Sequence, residues 1–162
     1  MRRRALLPAA LLSFATVTAA FSTPLVAKWP PWLSIESQVN PFDPTTRGAT
    51  LLVHAAFRDG QAQLADLSGS AEGIVNGARR SVALRFDTTG RPGVFAVRRQ
   101  WPTDGTWLLR IALRQTTAIV TLGRDGLVAS VRVPTELANG NHLPRSVGPK
   151  EIDSTLAEAA RR

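Results

Sequence analysis

The chain has 162 residues, a formal charge of +8, 44% hydrophobic and 20% charged residues, which fits one globular domain plus a processed end and excludes a disordered, collagen-like or low-complexity polymer. It has no Cys and no Tyr, and its one Met is Met1, so disulfides, thiolate metal sites and cysteine nucleophiles are excluded. Any imidazole chemistry rests on His54 and His142.

Residues 1–20 read as an export signal. Arg2, Arg3 and Arg4 precede an uncharged stretch from Ala5 to Phe21, and Thr18-Ala19-Ala20 supplies small residues. A basic start, a short apolar core and small residues at the cut are the parts of a secretory leader, with cleavage after Ala19 or Ala20. The alternative is an uncleaved membrane anchor, but a spanning helix needs about 20 strongly apolar residues, and this stretch is shorter and rich in Ala and Thr. The expected location is therefore periplasmic or secreted, and membrane-anchored if the segment stays. Loss of the three leader arginines lowers the charge from +8 to +5.

Residues 21–32 form an extended lead-in, because Pro24, Pro30 and Pro31 forbid a helix and disfavour a central strand. Trp29 and Trp32 are expected to pack over the end of the domain, with anchorage at a membrane interface as the alternative.

Residues 33–134 alternate with a period of two, the mark of half-buried strands. Leu33, Ile35 and Val39 share one face, then Leu51, Val53, Ala55 and Phe57, then Val82, Leu84 and Phe86, then Phe95 and Val97. Trp107, Leu109, Ile111 and Leu113 follow, then Ile119 with Thr117 and Thr121, then Leu127, Val131 and Val133. Turn signals separate the runs at Pro41–Pro44, Asp59-Gly60, Asn76-Gly77, Thr89–Gly93, Asp104-Gly105 and Asp125-Gly126, where Asx-Gly pairs supply the positive φ of tight reversals. The pattern predicts an all-β, immunoglobulin-like antiparallel β-sandwich of about seven or eight strands. Ala71–Asn76, with only Ile74 and Val75 as larger apolar residues, reads as an edge strand.

Residues 135–162 read as a polar linker and a short C-terminal helix. Asn139-Gly140-Asn141-His142, Pro144 and Gly148-Pro149 break the pattern, and Ile152 and Leu156 then recur at helical spacing. A helix of about three turns is marginal alone in water, so fraying is the first expectation, with weak docking or partner binding as alternatives. Eighteen of the basic residues are Arg. They are scattered among acids, as in Arg58-Asp59 and Arg124-Asp125, and no single basic surface points to nucleic acid.

The order of features between Ile35 and Leu113, roughly half the chain, resembles the YtkA-like and FixH-like group of bacterial extracytoplasmic domains. The matching features are the strand ending in Val39-Asn40-Pro41-Phe42-Asp43-Pro44, the glycine-led strand Gly48–Val53, the reversal Arg58-Asp59-Gly60, the strand Gly93–Val97, and the turn Asp104-Gly105-Thr106-Trp107. The resemblance implies a compact immunoglobulin-type sandwich, and links to copper handling or to assembly of envelope proteins. Copper carriage in that group looks to depend on His and Met clusters. No such cluster exists here, and no ligand is carried over. His54 also falls on the Thr50 and Leu52 side of its strand, away from the expected core.

The remaining chemistry is thin. Two histidines with a carboxylate such as Asp59 or Glu36 fall short of the three or four ligands a metal site needs. Ser68-Gly69-Ser70 lacks the strand–turn–helix context of a nucleophile elbow and reads as a turn. Among Glu36, Asp43, Glu72 and Asp87 no spacing selects a catalytic pair. The glycines are too dispersed to cradle a phosphate. Trp101, before Pro102, is the better exposed candidate for sugar stacking, and Trp107 is expected in the core. No catalytic, cofactor or metal residue is assigned. The expected function is an exported non-enzymatic domain that binds another envelope protein or component, through a sheet edge or through the loops Pro41–Arg47, Gly60–Ser70 and Asp87–Gly93. Periplasmic copper handling or oxidase assembly is the alternative, by resemblance alone.

Overall fold

A computed structural model describes residues 30–161. The leader assigned to residues 1–20, and the lead-in up to and including Trp29, lie outside the described residues. The strands are β1 (Trp32–Glu36), β2 (Ala49–Phe57), β3 (Gly60–Gln61), β4 (Leu67–Val75), β5 (Ala78–Ala83), β6 (Asp87–Thr88), β7 (Val94–Arg98), β8 (Thr106–Leu113), β9 (Thr116–Leu122), β10 (Val128–Arg132), β11 (Thr135–Ala138) and β12 (Asn141–Pro144), followed by one helix, α1 (Pro149–Ala159). The chain is thus mostly β with a short C-terminal helix.

The first sheet has the order β1-β2-β7-β6, with β3 attached to β2, and the second has the order β10-β9-β8-β4-β5. Every pairing is antiparallel. The sheets share one core. Leu33, Leu51, Val53, Phe95 and Val97 come to it from the first, and Leu67, Ala71, Trp107, Leu109, Ile111, Leu113, Ala118 and Val120 from the second. These are the faces the alternation marked on β2, β7 and β8, because successive side chains on a strand point to opposite sides.

Ala71–Asn76 does not lie at an edge. All of it but the turn residue Asn76 belongs to β4, which pairs with β8 from Leu67↔Leu113 to Ile74↔Thr106 and with β5 on its other side. Its inward positions are small because large neighbours fill the space. A Cβ on Gly73 would stand 2.4 Å from the Trp107 ring, and one on Gly69 would stand 3.0 Å from the Phe86 ring. The Trp107 indole N–H is satisfied by the Asp104 carbonyl at 2.7 Å, across the turn in which Gly105 takes φ +86°.

Other expectations are also corrected. Trp101 is 4% exposed and belongs to the inter-sheet core, so it offers no stacking surface. Trp32 does not pack over the domain end; it is 59% exposed at the start of β1. The inward face of β9 is Ala118, Val120 and Leu122, and Ile119 points the other way. The stretch after Pro134 is no plain linker, since β11 and β12 form a hairpin around Asn139 and Gly140, both at positive φ, the two-residue turn that Asn-Gly favours.

Helix α1 docks and does not fray. Ile152 and Leu156 are buried with Leu108, Ile119 and Val147 on the outer face of the second sheet. Leu108 and Ile119, with Ile74 beside them, give that face an apolar patch, and a helix of this length needs such tertiary burial to persist. Pro149 at its first turn suits the restricted φ of the helix start. Arg79 ties Asp153 to β5 at 2.9 Å, and Arg145 holds Glu151 with two bonds of 2.9 and 3.1 Å.

Two outcomes follow. Gly73→Ala forces a methyl into the Trp107 ring and should cost about 1–3 kcal/mol, the usual penalty of overpacking, read by urea denaturation with unchanged m. Leu156→Ala should cost about 2–5 kcal/mol and raise hydrogen exchange across 149–159.

Candidate functional site

Two surfaces gather polar side chains. The first lies on the outer face of the first sheet, where the segment between β1 and β2 folds back over the strands. Val39 and Ala49 pack there on Leu52, Val94 and Ala96, and Thr46 is fully buried. His54 does stand on the Leu52 side of β2, as its parity requires, but a chain segment covers much of that side. Two of the three expected contact loops, Pro41–Arg47 and Asp87–Gly93, meet here. Gly90 N–H points to Thr45 Oγ1 at 3.4 Å, and the Arg98 guanidinium bonds the Arg47 carbonyl at 3.3 Å, the Thr45 carbonyl at 3.4 Å and the Asp87 carboxylate. The third, Gly60–Ser70, is not a loop of this kind. It is taken up by β3, a 3-10 turn at Leu64–Asp66 and the start of β4.

Beside that cover, Glu36 Oε2 lies 2.7 Å from His54 Nε2 and 3.8 Å from the Arg91 guanidinium. Register places His54 opposite Ser34 on β1 and Val94 on β7. The arrangement is a clasp between β1, β2 and the turn before β7. As a metal site it offers two donors with a guanidinium beside the carboxylate, and a fixed cation there competes with a metal ion. His142 stands apart on β12, opposite Leu137. Among the described residues no three His, Asp or Glu side chains converge.

The other acids that the sequence singled out are each bound separately. Glu72 pairs with Arg79 at 2.7 Å and accepts from Ser81 at 2.9 Å, and Asp87 is held by Arg98. Asp43 accepts from the Thr45 hydroxyl at 2.7 Å and the Thr45 N–H at 2.8 Å. Those two bonds, with Arg91 as a smaller attraction, hold its carboxyl below the usual 3.8. Ser68 and Ser70 face outward on the interior strand β4, across from Ala112 and Arg110.

The second surface is a groove of about 850 Å³ on the outer face of the second sheet, between the β9–β10 hairpin and the C-terminal half of α1. Ile119 and Thr121 line it from β9, Ser130 and Arg132 from β10, and Thr155 and Glu158 from α1. Arg132 reaches across to Thr155 Oγ1 at 3.2 Å and Glu151 at 3.5 Å. Beyond it β10 is the last strand of its sheet. It is exposed along Ala129–Arg132, and Leu127 and Val131 are 65% and 42% exposed. Sequence reasoning missed this groove because it exists only once α1 docks. The available signal was Leu108 and Ile119, large apolar residues on strand faces whose other members are polar or small.

No family model matches the chain, and neither does any curated protein or solved structure. Among the described residues no helix is long and apolar enough to cross a membrane.

The ionised Asp43 stabilises its loop, and a depressed pKa means that this stabilisation is present above pH 3.8 and lost as pH falls through the lower folded value. The Asp43 carboxyl resonance should therefore titrate below 3.8, and Thr45→Val should return its midpoint toward that value; a wild-type midpoint at or above 3.8 would contradict the hydrogen-bonded loop.

Proposed function

We propose that the chain is an exported immunoglobulin-like β-sandwich whose work is the non-catalytic binding of another cell-envelope protein, by strand addition at the edge of β10. The exposed edge of β10 carries this reading. An unpaired edge presents free backbone N–H and C=O groups, which are a template for another strand. Native proteins usually guard such edges with charge or irregularity. β5, the opposite edge of the same sheet, has Arg79 and Arg80. β10 has a register shift between Val128 and Ser130, which leaves Ser130–Arg132 as its regular part. There the exposed Val131 offers apolar area to a partner.

Strand order supports the immunoglobulin-like reading. With β1, β2, β7 and β6 as strands A, B, E and D, and β9, β8 and β4 as G, F and C, the orders ABED and GFC are those of that sandwich. β5 then stands where C′ would be, and β10 is an addition outside G. Apolar contacts replace the disulfide between B and F, and the tryptophan lies on F. The likeness to YtkA-like and FixH-like domains rests on the order of sequence features. Export rests on Arg2–Arg4 and the apolar stretch after them. The copper reading has no comparable support, because the Glu36–His54 pair is already closed by Arg91.

Affinity capture from envelope fractions tests the reading. The wild-type chain should retain a partner in stoichiometric amount, and Val131→Lys, which guards the edge, should lose it while keeping the wild-type circular dichroism. Equal capture by both would sink strand addition, and turnover of any compound in a broad hydrolase panel would sink the non-catalytic reading. The N-terminal peptide from the same preparation should begin at Ala20 or Phe21.

A further inference from the structure

We infer that the segment added to β10 alternates acidic with branched apolar residues. This rests on the strand-addition reading and specifies the chemistry of its partner. The period of two on β10 sets the requirement. Ser130 and Arg132 point to the groove side, as their bonds to Thr121 Oγ1 at 3.1 Å and Thr155 Oγ1 at 3.2 Å show. Val131 points to the opposite side, where its register partner is Val120 of the core face. A strand laid along β10 must alternate in step, with every second residue over the groove and the others beside Val131.

The two sides ask for different chemistry. The groove is lined by three guanidinium-bearing residues, Arg124 from the β9–β10 turn, Arg132 from β10 and Arg161 after α1. The acids beside them are engaged already. Glu151 is held by Arg145 in two bonds and also faces Arg132, and Glu158 has a partner of its own. Among the described residues, neither the Arg124 nor the Arg161 side chain is paired with a carboxylate. The groove therefore carries positive charge available to an incoming group, and the Thr121 hydroxyl, which accepts from Ser130, adds a donor. Carboxylate side chains match that set, since they accept from both guanidinium and hydroxyl. On the other side Val131 is exposed and apolar, and a β-branched residue opposite Val131 covers it as cross-strand pairs do. A basic strand meets three arginines, and an all-polar strand leaves Val131 wet.

The test uses the full chain and two soluble nine-residue peptides, one alternating glutamate with valine and one alternating lysine with valine, with binding followed by fluorescence anisotropy. The glutamate peptide should bind and the lysine peptide should not. Binding should weaken as salt rises through the physiological range. It should fall about fivefold in the double variant Arg124→Gln/Arg161→Gln, the scale of two rim ion pairs, and be lost in Val131→Lys. Both arginines are exposed, so the double variant should keep the wild-type thermal midpoint. Equal binding of the two peptides would leave strand addition standing and overturn the charge assignment. Failure of both peptides would overturn the inference, while Val131-dependent envelope capture decides the parent reading separately. Binding of polyuronate that competes with the glutamate peptide and survives Val131→Lys would also overturn it, by making the groove a polyanion site and not a strand seat.

Discussion

Strand β8 must be kept dry on both faces, and the rest of the molecule is arranged around that requirement. Trp107, Leu109, Ile111 and Leu113 face the other sheet, while Leu108 points away from it and is fully buried as well. Each such side chain contributes about 1.5–3 kcal/mol when removed from water, so exposure of either face would remove a large part of a typical domain's stability. The inner face is covered by β2 and β7. The outer face has no third sheet, and α1 supplies the cover with Ile152 and Leu156. Close approach on the inner side depends on Gly73, which leaves the Trp107 ring its space.

The first sheet solves the same problem differently. Leu52, Val94 and Ala96 are buried on its outer face, and the segment between β1 and β2 folds over them. Polar clasps hold both covers. Arg98 binds the carbonyls of Thr45 and Arg47 on one side of the molecule, and Arg145 with Arg132 binds Glu151 on the other. Such part-exposed ion pairs contribute little energy individually. Their role is geometric, since they fix where an apolar cover sits.

The surfaces left open follow from these covers. The Glu36–His54–Arg91 clasp closes the margin of the first cover on itself. On the other side α1 spans β8 and β4 but stops short of β10, which leaves the groove, its arginines and the strand edge facing solvent. Helix α1 thereby shapes the surface proposed for partner binding, and loss of α1 would remove a groove wall as well as core.

The sequence by itself determined that the chain is mostly β with a short C-terminal helix, and it marked several turns and the inward faces of β2, β7 and β8. Those depend on side-chain parity and on local φ preferences, which are written residue by residue. The inward faces of β2, β7 and β8 were legible for that reason, and so was the outward placement of His54. The Asn139-Gly140 turn signal was equally local, although a hairpin of mostly polar residues lacks the apolar alternation that marks a strand. Tertiary structure alone decided that weakly apolar β4 is interior, because its missing side chains are replaced by Trp107 and Phe86 from distant positions. It alone decided that Trp101 is buried, that α1 docks, and that Arg124, Arg132 and Arg161 line one groove. Each of these depends on which surfaces meet across long chain separations, and local periodicity carries no record of that.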